Sequence, residues 1–119
     1  MRHARRFMEV AQLVAEEGAD LDYSSTSAAL AVLAGIAASD AACCAALGRR
    51  ARGQDHREAV TLMGQIEPGG DKAAASLRRL LGLKDEAHYG LFDVGGKQLK
   101  SALRQADDLV EFAQGVLRR

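Results

Sequence analysis

The chain is poor in the residues that usually stiffen a fold or carry a cofactor. Among 119 residues there is no tryptophan, and only three phenylalanines and two tyrosines, so the core has to be built from aliphatic and small side chains. The single proline, Pro68, leaves the backbone free to form long helices and marks one strong turn. Cys43 and Cys44 are the only cysteines and are adjacent within a helical pattern, a geometry unsuited to a disulfide, which predicts a reducing, cytoplasmic setting. Charge of one sign is also missing. With 16 basic and 16 acidic residues, the chain does not hold nucleic acid by net charge alone, although local basic patches stay open. No Cys or His cluster has zinc spacing, no Gly-rich phosphate loop precedes a helix, and no Asp-rich calcium loop occurs, so neither a metal nor a cofactor is expected.

What is present is helical periodicity over the length of one domain, residues 1–119. The first helix is expected from about His3 to Glu17, with Phe7, Val10 and Val14 facing inward and Gly18 ending it. Its basic start, MRHARRFMEVAQL, runs into Glu9, Glu16 and Glu17 without a long apolar stretch or cleavage signal, and so reads as part of the mature fold. A second helix, capped by Asp22, Ser24 or Ser25, continues to Leu47 and stops at Gly48. Residues 28–47 are apolar or small apart from Ser39 and Asp40. A mid-helix Asp costs about 3 kcal/mol in a membrane, which Leu30, Val32, Leu33, Ile36 and Leu47 at about 0.5 kcal/mol each barely offset. A buried central helix, not a membrane span, is the expectation. Ala31, Gly35, Ser39 and Cys43 recur every four residues along it, a smooth ridge for close approach by the same chain or by a second copy, on which a homodimer is expected.

Asp55 and Glu58 match a capping box opening a third helix that buries Ala59, Leu62, Met63 and Ile66. After the EPGGD turn, Asp71 can cap a fourth helix through Tyr89, ended by Gly90, and LFDVGG carries Phe92 and Val94 under the bundle. A fifth helix from near Lys97 shows a seam of Leu99, Leu103, Ala106, Val110, Ala113 and Leu117 at spacings of four and three. The fold class is all-α, an up-and-down bundle of about five helices.

Three groups of residues could carry chemistry. Leu77, Leu81, Lys84 and His88 share one helical stripe, so an apolar face ends in a lysine and a histidine, followed by Tyr89. His88 can exchange protons near neutral pH and Lys84 can neutralise a phosphate; the plain alternative is a snorkelling lysine and a tyrosine plugging the helix end. Arg49, Arg50, Arg52, His56 and Arg57 cluster where the third helix begins, a phosphate or carboxylate site or merely a solvated turn. Arg50 and His56 have the Arg-x5-His spacing used by some metal-independent ribonucleases. Asp40, within the most apolar helix, is expected to be more than half buried and paired with a basic or hydroxyl group, most simply as a structural ion pair.

Taken in order, the alanine-rich second helix (AALAVLAGIAASDAACCAALG), the histidine opening the third (GQDHREAVTLM), the segment LRRLLGLKDEAHYG and the amphipathic last helix (SALRQADDLVEFAQGVL) resemble the HEPN superfamily of α-helical bundles over nearly the whole chain. The resemblance implies a homodimer, a nucleotidyltransferase as partner, and in toxin branches metal-independent cleavage of RNA by an Arg-x4-6-His motif drawn from both subunits. Where that arginine is expected this chain has Lys84, separated from His88 by three residues. A lysine lacks the bidentate fork of a guanidinium. Two readings follow. One is a module that binds a nucleotide, RNA or a protein partner through Tyr89, Arg49, Arg52 and Asp40 without robust catalysis. The other is a ribonuclease in which His88 or His56 moves the proton of a ribose 2′-hydroxyl, and Lys84 or Arg50 stabilises the phosphorane charge.

Overall fold

The computed structural model describes residues 1–17, 21–52, 56–88 and 96–119; the side chains of residues 17, 21–24 and 84–88 are not described. Among these residues the protein is all-α, with helices α1 (Arg2–Glu17), α2 (Leu21–Leu47), α3 (His56–Gly64), α4 (Gly70–His88) and α5 (Gly96–Leu117).

The apolar α2 is the axis of the bundle because it packs against each of the other four helices. Its ridge of small residues is what allows this. Ala31, Gly35, Ser39 and Cys43 are all buried within the single chain, and Gly35 lies so close to Leu80 of α4 and Leu109 of α5 that a Cβ there would collide with the Leu80 side chain and come within 3.2 Å of Leu109. The ridge on which self-association was expected is thus spent inside the fold, and a dimer would need another face. Contacts along α2 also fix direction. Ala28 meets Leu99 and Leu83, whereas Gly35 meets Leu109 and Leu80, so α5 runs parallel to α2 and α4 runs against it.

The helix ends follow local chemistry only in part. Gly48 adopts φ +71°, and its N–H donates to the Cys44 carbonyl at 3.1 Å, the left-handed cap expected after Leu47. Leu21 already belongs to α2, so Asp22, Ser24 and Ser25 stand inside the helix instead of ahead of it, a position that costs such residues only a few tenths of a kcal/mol against Ala. Ser27, a turn further on, is fully buried and donates to the Ala11 carbonyl at 2.6 Å, tying α1 to α2. Asp71 likewise sits in the first turn of α4 instead of capping it, because Gly69, at φ +94°, takes the capping place and accepts from the Ala73 N–H at 3.2 Å. The end of α5 closes on this turn: Arg119 donates to the Glu67 and Pro68 carbonyls at 2.9 and 3.0 Å and lies 5.9 Å from the Phe112 ring.

Two inward stripes are displaced from the sequence reading. On α1 the buried positions are Ala4, Met8 and Ala11; Phe7 and Val14 are half-buried, and Val10 is 45% exposed. Alanines let α1 lie close on α2, which turns the larger valine outward. On α5 the stripe is broader than a heptad seam, with Leu109 and Val116 buried and Leu117 exposed, because α5 faces both α2 and α4. In α3, Leu62 and Met63 are buried, Ile66 is buried just beyond the helix, and Ala59 is only half-buried. Gly18, Asp55, Tyr89, Gly90, Phe92 and Val94 lie outside the described residues.

Candidate functional site

The Gly48 cap turns the chain sharply out of α2, so Arg49, Arg50 and Arg52 leave the helix on an exposed edge, and α3 begins at His56 with Arg57 exposed beside it. Ala51 points the other way and packs against the core, which anchors the segment from beneath. The expectation of a basic edge at the start of α3 therefore has a physical basis: one alanine is held, and the arginines around it are left in solvent.

Asp40 belongs to this edge. Its carboxylate lies 3.8 Å from the Arg50 guanidinium, with the Asp40 side chain 32% exposed and that of Arg50 65% exposed. Burial pushes the Asp40 carboxyl above its ordinary value, and the Arg50 charge pulls it part of the way back. The acid is more than half buried and paired, as its place in an apolar helix requires. One turn further along, Cys43 is buried and its thiol is raised by burial, an effect that the Ser39 hydroxyl bond opposes and the Asp40 charge reinforces. A thiol so placed stays protonated and is a packing group, not a nucleophile.

The Lys84 and His88 positions do not join this edge within one chain. Leu83 packs around Ala28 and Leu99, whereas Asp40 is twelve residues further along α2, about 18 Å of helix axis. The backbone of Lys84 and His88 lies in the last turns of α4, their side chains are not described, and Tyr89 falls outside the described residues. The residues singled out from the sequence thus divide: Asp40, Arg49, Arg50 and Arg52 gather at the C-terminal end of α2, the backbone of Lys84 and His88 lies towards its other end, His56 opens α3, and Tyr89 is not among the described residues. The described partner of Arg50 is Asp40.

Among the described residues no three His, Cys, Asp or Glu side chains gather as a metal site. The sequence reading passed over a second basic surface, Arg2, Arg5 and Arg6 on the outer side of α1, where a shallow depression is also lined by Glu9 and Val10. Its signal was a helix with basic residues at its start and acidic ones at its end, opposite to what the helix dipole favours. No protein-family profile, curated protein or solved structure matches the chain.

Proposed function

We propose that this chain is a HEPN-like helical module that binds the phosphate backbone of RNA on the Arg49–Arg57 edge without cleaving it. The observation that carries the reading is the row of exposed arginines Arg49, Arg50 and Arg52 on a short segment anchored by Ala51, with Arg57 exposed in the first turn of α3, in a chain of zero net charge. Guanidinium forks suit bidentate contact with phosphate, and backbone contacts of this kind position an RNA without reading its sequence.

The absence of cleavage rests on how the proton-handling and charge-stabilising groups are distributed. Cleavage needs a base within hydrogen-bond reach of the 2′-hydroxyl and a cation at the same phosphate. Arg50 is drawn to Asp40, and Lys84 and His88 start from the far part of α4. The test is fluorescence anisotropy of a short single-stranded RNA in EDTA, with the recovered RNA run on a denaturing gel. Binding that weakens steeply with salt and in Arg49→Glu and Arg52→Glu, with intact RNA, is the expected result. EDTA-resistant cleavage abolished by His56→Ala or His88→Ala would establish the ribonuclease reading instead.

A further inference from the structure

The outer side of α1 is organised differently from any other exposed surface among the described residues. Its inward stripe, Ala4, Met8 and Ala11, is fully covered. On the opposite side Arg2, Arg6, Glu9, Leu13 and Glu16 follow one another at spacings of four, three, four and three, which aligns them along one outward face of the helix. All five are exposed, and Leu13, at 60%, is the most exposed large apolar side chain described; Val10 flanks it at 45%. The charges are segregated along this face, basic at the start and acidic at the end. Each end therefore opposes the dipole of its own helix, and only the spacing of Arg5 and Arg6 to Glu9 offsets this within α1.

We propose that this face of α1 docks antiparallel on the same face of a second copy of the chain. Reversing one helix against its twin brings the basic start of each against the acidic end of the other, and each helix end meets the charge that its dipole favours. In the register that sets Arg6 opposite Glu16 of the second copy, the twofold axis falls level with residue 11. Leu13 then covers the stems of the twin's Glu9 and Val10, and the two Glu9 carboxylates are kept apart. The self-complementary charge pattern selects a second copy over a polyanion, which would be repelled by Glu9 and Glu16, and over a membrane, which would leave both carboxylates in apolar surroundings. The inference is independent of the RNA reading, which concerns a different face.

The experiment is sedimentation velocity across micromolar concentrations, with circular dichroism to verify helicity. The wild type should show a concentration-dependent dimer, and Leu13→Asp should be monomeric with its helicity retained. Arg6→Glu or Glu16→Arg alone should weaken association roughly tenfold, as an attractive exposed pair becomes a repulsive one twice over by symmetry. Arg6→Glu combined with Glu16→Arg should restore it, because both reversed charges meet again across the twofold axis. Each single reversal also improves the match to the helix dipole, so loss of the fold does not account for loss of the dimer. A wild type that stays monomeric throughout, a dimer untouched by Leu13→Asp, or a double variant no tighter than the single ones would each overturn the proposal. So would a monomeric chain in which Arg6→Glu lowers RNA affinity, since the occupant would then be a polyanion.

Discussion

Gly35→Ala isolates the contact on which the bundle depends. An added methyl group would collide with the Leu80 side chain and lie 3.2 Å from Leu109. Neither neighbour can step aside, because Leu80 is 1% and Leu109 0% exposed and both are held by the rest of the core. Overpacking of this kind costs about 1–3 kcal/mol, while replacing a mid-helix glycine by alanine returns up to about 1 kcal/mol. The net expectation is a loss of up to about 2 kcal/mol, equivalent to a fall in melting temperature of as much as roughly 8 °C for a domain of this size. Differential scanning calorimetry at several protein concentrations is the assay, with Gly82→Ala as control. A Cβ at Gly82, exposed on α4, meets nothing within 4 Å, so that variant should gain about 0.5–1 kcal/mol. If Gly35→Ala stabilised the protein as Gly82→Ala does, the tight three-helix contact would be wrong. If its effect varied with protein concentration, the ridge would belong to an interface between copies.

Asp40→Asn should change stability by no more than about 0.5 kcal/mol at neutral pH, because the Arg50 left behind is largely in solvent and is not a stranded buried cation. Its pH dependence has a definite sign. A carboxyl raised in the folded state binds protons more tightly than in the unfolded chain, so its ionisation removes stability as pH rises from the ordinary value of 3.8 through the raised one. Urea titrations from acid to neutral pH should therefore show wild-type stability falling relative to Asp40→Asn across that window, and a rise would reverse the assignment. Ser27→Ala removes a buried hydroxyl bonded to the Ala11 carbonyl and should cost about 1 kcal/mol, read from the urea midpoint.

The fold was legible in the sequence wherever one signal dominated. Gly48 ended α2 because a left-handed residue was needed there, and the apolar run of residues 28–47 became the central helix, packed against each of the other four. Stripes built from alanine were harder to read. On α1 the valines outrank Ala4 and Ala11 in hydrophobicity, yet close helix approach favours the smaller side chains, so Val10 was placed on the wrong side. On α5 Leu109 was passed over because a seam presumes one partner helix and α5 has two main ones. The basic edge was visible as a run of arginines, but its separation from Lys84 depends on the direction of α4 against α2, which no local pattern encodes. The pairing of Asp40 was expected from the cost of burying a charge, whereas the choice of Arg50 as partner required the chain reversal after Gly48.

The central claim is that the Arg49–Arg57 edge binds RNA and leaves it intact, and one titration addresses it directly: anisotropy of labelled single-stranded RNA in EDTA over a series of salt concentrations, for the wild type, Arg49→Glu and Arg52→Glu. The account predicts that the logarithm of the wild-type affinity falls linearly with the logarithm of salt concentration, and for each variant weaker binding with a salt slope reduced by about one phosphate contact. The RNA should be recovered at full length throughout. Affinity indifferent to both arginines, or RNA shortened by the wild type in EDTA, would contradict it.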